Sequence, residues 1–74
     1  MNKQRRTDIK TVISKLEAIK SELNSILIAE ENVFDSMPEN LQGSMRGEES
    51  EEAIDCMNEA IDSLEEAISQ LEEI

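Results

Sequence analysis

The sequence predicts an all-α fold, an antiparallel two-helix coiled-coil hairpin, from three observations. Apolar residues recur at alternating spacings of three and four on both sides of a short central segment. The only proline and both glycines lie within residues 38–47, so the flanking segments contain no helix breakers. A single aromatic residue, Phe34, leaves little material for a β-sandwich or barrel. A chain of 74 residues is one small domain, which we expect to need a partner to bury enough apolar surface.

The first helix is predicted over residues 3–36. Its apolar residues occupy positions a and d of a heptad repeat, with one carboxylate among them. These positions are Ile9, Val12, Leu16, Ile19, Leu23, Ile26, Glu30, Val33 and Met37. A further apolar row at position e, formed by Ile13, Leu27 and Phe34, widens this surface. Because a contact between two helices needs only a and d, the extra row predicts a second neighbour.

A connector is predicted over residues 37–44. Pro38 ends the first helix, since proline lacks the backbone donor and disfavours helical geometry in the residue before it. One tight helical turn is expected after it, ended by Gly43. Ser44 is the preferred N-cap of the second helix, and Ser50 is a competing cap.

The second helix is predicted over residues 45–73, making residues 1–74 a single helical hairpin. It contains three copies of one seven-residue phrase, which read EEAIDCM, NEAIDSL and EEAISQL. The phrase sets isoleucine at a, methionine or leucine at d, and alanine at g. These residues are Ile54, Ile61 and Ile68 at a, Met57, Leu64 and Leu71 at d, and Ala53, Ala60 and Ala67 at g. This regular pattern predicts a packing seam.

Charge and connector length predict that the helices run antiparallel. Residues 1–20 hold six basic and two acidic side chains, whereas nothing after Arg46 is basic. Folding back places the lysines of the first helix beside the acidic end of the second. Of two possible alignments, we prefer the one that pairs Glu30 with Ser50, because the other sets a buried carboxylate against Met57. The preferred alignment leaves residues 2–6 beyond the end of the second helix.

The alanine column and the broad apolar surface of the first helix together predict an antiparallel homodimer that forms a four-helix bundle. Higher oligomers and a different partner chain remain open at this stage. The predicted oligomer interface consists of Ile13, Leu27, Phe34, Ala53, Ala60 and Ala67. The predicted contact patch at the connector consists of Met37, Leu41, Met45 and Arg46.

Charge and residue types exclude several function classes. A net charge of −11 repels nucleic acid phosphates and anionic membranes, so we expect no direct nucleic acid or membrane partner and expect a protein partner to be basic or apolar. The chain has no histidine, which argues against a bundle metal site, and no motif of nucleophilic catalysis. We therefore expect no enzyme activity, metal or cofactor. The lone Cys56 favours a reducing cytoplasm, and no apolar run predicts a signal peptide or membrane helix.

The connector and the repeats resemble a family of small acidic helical-hairpin proteins from Gram-positive bacteria and their phages. The shared features are a P-E-x-L-Q-x-S-x-R-G-E connector followed by repeated E-E-A-I phrases, which cover about half of this chain. The resemblance implies a helical hairpin with no established activity. It also implies that the members of the family share a role for five connector residues, which are Pro38, Leu41, Ser44, Arg46 and Gly47. A purely structural role is sufficient to explain this.

Two functions are consistent with these features. The first is a non-enzymatic oligomeric module that binds other proteins through its connector end or its acidic faces. The alternative is an acidic inhibitor, encoded by a phage or mobile element, that mimics nucleic acid and blocks a host nucleic-acid-binding protein. The density of carboxylates supports the alternative, but mimicry needs a particular spatial pattern of charge that sequence does not reveal.

Overall fold

The protein folds as a hairpin of two long helices in a computed structural model that describes residues 1–74. Helix α1 spans Lys3–Asp35, the short helix α2 spans Glu39–Gln42, and helix α3 spans Met45–Glu72. No strand is present, and the molecule measures 58 × 15 × 13 Å. The predicted all-α class is confirmed. No helix combines the length and the apolar character needed to cross a bilayer.

Each long helix begins at a side-chain cap. The Asn2 side chain accepts a hydrogen bond from the Arg5 backbone N–H at 2.8 Å and starts α1. The Ser44 hydroxyl accepts one from the Gly47 N–H at 3.5 Å and starts α3, which confirms Ser44 rather than Ser50 as its cap. Helix α1 ends one residue before the predicted position 36 and α3 one residue before the predicted position 73.

The connector is ordered by hydrogen bonds to the helix ends. Pro38 precedes α2, and the Gln42 side chain donates to the Phe34 carbonyl at 3.0 Å. Gly43 follows α2 with φ −86°, so this glycine does not adopt a left-handed conformation. The predicted single turn is therefore present, and its end does not depend on the backbone freedom of glycine.

Gly47 marks the closest approach of the connector to α3. Gly47 is buried, and a Cβ added there would lie 2.1 Å from the Gln42 carbonyl oxygen and 2.6 Å from that of Leu41. Both atoms belong to the backbone, so no side chain can move aside to make room. A residue without a side chain is therefore required where α2 crosses the first turn of α3.

Three contacts establish the antiparallel alignment. Ser50 Oγ donates to Glu30 Oε2 at 2.7 Å near the connector, and Arg6 Nη1 donates to the Ile74 carbonyl at 3.1 Å near the other end. Lys20 Nζ lies 3.6 Å from Glu65 Oε1 between them. The alignment that pairs Glu30 with Ser50 is confirmed, and the one that sets Glu30 against Met57 is wrong. Arg6 pairs with Ile74, which follows the last residue of α3, Glu72, as expected if residues 2–6 lie beyond the end of that helix.

The face of α1 that packs on α3 differs from the predicted one. The predicted a row is half-buried, but its partner is the e row, in which Leu27 is buried and Ile13 and Phe34 are half-buried. The predicted d row is exposed. Three apolar rows lie side by side on α1, and row a is the middle one. Rows a and d alternate at spacings of three and four residues, and so do rows a and e. Either pair could therefore form the seam with α3. The e row packs inward, and Lys20 in that row lies 3.6 Å from Glu65 of α3.

Helix α3 packs as predicted. The isoleucines at a and the methionine and leucines at d are all buried or half-buried, and Gly47 and Ser50 extend the seam toward the connector. The core is nevertheless small, because Leu27 and Ile68 are the only buried hydrophobic residues of the chain.

Candidate interaction surfaces

The largest apolar feature on the surface is a row of four aliphatic side chains along α1. Val12, Ile19, Ile26 and Val33 follow one another at seven-residue intervals and are 45%, 50%, 58% and 51% exposed. A seven-residue interval keeps them on one side of the helix. We call this row the aliphatic stripe; it runs for roughly 30 Å at 1.5 Å per residue.

The aliphatic stripe and the alanine column of α3 lie on the same side of the hairpin. Val33 and Ala53 line one surface groove of about 310 Å³, together with Arg46. The heptad spacing carries both rows along the molecule on that side, where Ala60 is exposed and Ala67 is half-buried. We call this side the stripe face. The residue three positions after each alanine lies beside it on the helix surface, and these residues are Cys56, Ser63 and Gln70. C-terminal to Glu49, α3 therefore contributes no charged residue to the stripe face.

The opposite side of the hairpin is charged. A groove of about 380 Å³ on that side is lined by four carboxylates around two apolar side chains; the lining residues are Glu31, Asp35, Glu51, Asp55, Phe34 and Ile54. Lys20 and Glu65, the only ion pair of the chain, involve the same rows of the two helices. The groove on this side is purely acidic in its charges, whereas the groove on the stripe face combines Arg46 with Glu30 and Glu49.

The residues predicted for an oligomer interface fall into two groups. Ala53, Ala60 and Ala67 belong to the stripe face, whereas Ile13, Leu27 and Phe34 pack toward α3 within the chain. The structure describes a single chain, so their role in an oligomer stays a prediction. Sequence reasoning missed the aliphatic stripe as an exposed surface. Lys20 in the e row was the available signal, since its long side chain reaches an acidic residue of α3 only if that row faces inward.

A second apolar feature is a groove of about 480 Å³ beside the connector. Val33, Met37, Pro38 and Leu41 form its apolar part, and Arg46 lies at its edge with two uncharged polar residues of α1. We call it the connector groove. Of the four residues predicted to form a contact patch here, Met37, Leu41 and Arg46 line the groove. Met45 is 77% exposed and lies outside it.

Arg46 is the only basic residue after Lys20 and makes no ion pair. Glu30 and Glu49 line an adjacent groove with it, but neither carboxylate comes within ion-pair distance of its guanidinium. The guanidinium is exposed and therefore retains its full capacity to donate hydrogen bonds.

No group of three or more acidic or cysteine side chains is arranged to hold a metal ion. Cys56 is a free, exposed thiol on α3. Comparison with protein-family models, with curated proteins and with solved structures finds no match to this chain.

Proposed function

We propose that this chain is a non-enzymatic interaction module that self-associates through its stripe face into a four-helix bundle. The observation that carries the proposal is the aliphatic stripe, four large side chains that are each about half exposed on the side of the hairpin where α3 presents its alanines and, C-terminal to Glu49, no charge. Exposed apolar surface of this kind marks association sites. The exposed free thiol of Cys56 is consistent with a reducing compartment such as the cytoplasm.

The small core supports association. Two buried hydrophobic residues are few for a chain of 74 residues, since a domain of this size has little surplus of burial over conformational entropy. Covering the stripe face with a second copy converts the half-exposed Ile19, Ile26 and their neighbours into core residues. Burying each such side chain is worth about 1.5–3 kcal/mol relative to full exposure.

Charge favours an antiparallel arrangement of the two copies, with the connectors at opposite ends. Residues 21–58, the connector half of the hairpin, hold ten acidic side chains and one basic side chain. The other half holds six basic and eight acidic side chains, and all six basic ones lie in residues 1–20. An antiparallel pair sets the basic segment of each copy beside the acidic connector half of the other, whereas a parallel pair sets the two acidic halves side by side.

Side-chain size favours packing α1 of one copy on α3 of the other. The aliphatic stripe is a ridge of large side chains, and the alanine column is a shallow row of small ones. Placing each stripe on the partner's alanine column matches large with small in both contacts. A two-fold axis makes the two contacts identical.

A matched pair of variants tests the proposal. Ile19 and Ile28 are both 50% exposed on α1, but only Ile19 belongs to the aliphatic stripe. We expect Ile19→Glu to convert the protein to a monomer in sedimentation equilibrium, because it places a carboxylate in the apolar contact. We expect Ile28→Glu to leave the mass unchanged. Equal behaviour of the two variants, whether both monomeric or both associated, contradicts the stripe face as the contact.

A second candidate is a nucleic-acid mimic, encoded by a phage or mobile element, that blocks a basic groove of a host protein. The observation in its favour is the row of four carboxylates around the groove at Glu31, Asp35, Glu51 and Asp55. A pull-down from the source cell tests it. Nuclease or polymerase subunits that elute sharply as salt rises support mimicry, since such contacts are electrostatic. Capture that resists salt contradicts it and supports apolar recognition.

A further inference from the structure

We infer that the connector groove is a docking site for a peptide segment that presents a large apolar side chain next to a carboxylate. This inference rests on the proposed role of the chain as an interaction module and adds the chemistry of a partner. It concerns a surface at one end of the hairpin, which adjoins the stripe face at Val33, Met37 and Arg46.

The lining of the groove suits an apolar side chain. Its volume is about 480 Å³, and four of its seven lining residues are apolar. Val33 and Leu41 are 51% and 45% exposed, so water contacts aliphatic surface that an inserted side chain would cover. Met37 adds a flexible thioether that adapts to different apolar shapes.

The charge of the groove sets it apart from the rest of the molecule. Four surface grooves are present, and the other three each contain at least one carboxylate. The connector groove contains none, although acidic residues outnumber basic ones by 18 to 7 in the chain. A carboxylate of a ligand therefore meets Arg46 and no lining carboxylate here, whereas in the groove at the far end of the hairpin it meets Glu72 together with Arg6 and Lys10.

The polar residues at the edge of the groove are all capable of donating hydrogen bonds. Arg46 supplies an unpaired guanidinium, and Asn32 and Ser36 supply an amide and a hydroxyl. A guanidinium binds a carboxylate through two parallel hydrogen bonds, which are stronger than bonds between neutral groups. The apolar floor and the donor-rich edge together select an apolar side chain with an acidic neighbour.

The groove is held in place before any ligand binds. Gln42 ties α2 to the end of α1 through the Phe34 carbonyl, and Ser44 caps the first turn of α3. The contact of Gly47 with the Gln42 backbone fixes α2 against that turn. The backbone that carries Leu41 and Arg46 is therefore fixed before binding, which lowers the conformational entropy that binding must overcome.

Titration of the full chain with two synthetic peptides, followed by NMR, tests the inference. The peptides are acetyl-Ala-Ile-Leu-Asp-Ala-amide and its twin with asparagine in place of aspartate. We expect saturable shifts of the Val33 and Leu41 methyl groups and of the Arg46 side-chain N–H with the aspartate peptide. Binding of the asparagine peptide should be about tenfold weaker, since it replaces a charge-assisted hydrogen bond by one between Arg46 and a neutral amide.

Two variants locate the effect. Arg46→Gln should make the two peptides bind alike, whereas Lys15→Gln, which removes an equal charge from an exposed residue without an ion pair, should preserve the difference. The inference is overturned if no shift saturates, if both peptides bind alike to the unaltered chain, or if the shifts centre on Ile19 and Ile26.

Sedimentation of the same samples separates the inference from the proposed function. Saturable binding at the groove by a chain that stays monomeric supports the docking site and contradicts self-association. A dimer whose groove gives no saturable shift supports self-association and overturns the docking site.

Discussion

Ser50 Oγ donates a hydrogen bond of 2.7 Å to Glu30 Oε2 and joins the two long helices near the connector. Ser50 is only 6% exposed, and Glu30 is the one carboxylate in the middle of the α1 seam. A carboxylate at that place needs a donor across the seam, because a half-buried charge without a partner is costly. This pair fixes the alignment of α1 on α3, since sliding by one heptad would set Glu30 against Met57.

Ser50→Ala should therefore destabilise the protein. The variant leaves the half-buried Glu30 carboxylate without its hydrogen-bond donor, and we expect the free energy of unfolding to fall by about 1 kcal/mol. This value is at the low end of the range for an unsatisfied polar group, because Glu30 keeps some access to water. Urea denaturation followed by circular dichroism measures the change. Ser63→Ala, at an exposed position of the same helix, is the control and should change stability by less than about 0.5 kcal/mol. Equal effects of the two variants would contradict the role of the pair.

Leu27→Ala tests which face of α1 packs on α3. Leu27 is 5% exposed, and removing its side chain should cost about 2–4 kcal/mol in urea denaturation through lost burial and a cavity. Ile28→Ala is the matched control, because the neighbouring side chain is 50% exposed and lies outside the aliphatic stripe. We expect it to cost less than about 0.5 kcal/mol. A small effect at Leu27 would mean that the e row faces away from α3.

Gly47→Ala should destabilise the connector although alanine is the better helix former. Alanine gains up to about 1 kcal/mol in helix propensity, but its Cβ would lie 2.1 Å from the Gln42 carbonyl oxygen. Backbone displacement of this kind costs about 1–3 kcal/mol, so the net change in thermal unfolding should be a loss. Gly43→Ala meets no atom within 4 Å and serves as the control. Stabilisation by both variants would contradict the close approach at Gly47.

Added salt should raise the melting temperature at fixed protein concentration. The chain carries a net charge of −11 and a single, solvent-exposed ion pair, so screening relieves more repulsion than it removes attraction. Relief of about 1 kcal/mol corresponds to roughly 4–8 °C for a domain of this size. Calorimetry between low salt and about 0.5 M sodium chloride measures it, with sodium sulfate at equal ionic strength separating screening from ion-specific effects. A falling melting temperature in both salts would mean that attractive pairs dominate.

The sequence predicted α3 more completely than α1. The repeated phrase of α3 has one apolar pair of rows and one alanine row, so only one face can pack inward, and the structure bears this out. Helix α1 has three adjacent apolar rows, and choosing between them requires the sizes of Leu27 and Phe34 and the reach of Lys20 to be weighed together. Because the d row was predicted to pack on α3, the sequence analysis did not predict that this row forms an exposed aliphatic stripe.

Two features of the connector end lay beyond sequence reasoning for another reason. The need for Gly47 arises from how closely the α2 backbone crosses α3, and the sequence pattern contains no measure of that distance. The lack of an ion pair at Arg46 depends on the side-chain orientations of Glu30 and Glu49, which the sequence does not specify. Arg46 itself was predicted to contribute to a contact patch at this end. Glu30 and Ser50 were predictable because a single charge in an apolar row restricts the possible partners to very few.

The mass of the unaltered protein in solution tests the central claim most directly. Sedimentation equilibrium at micromolar concentration should return twice the chain mass of 8.4 kDa, with a helical circular dichroism spectrum recorded on the same sample. A folded, helical species of 8.4 kDa across that concentration range would contradict self-association through the stripe face.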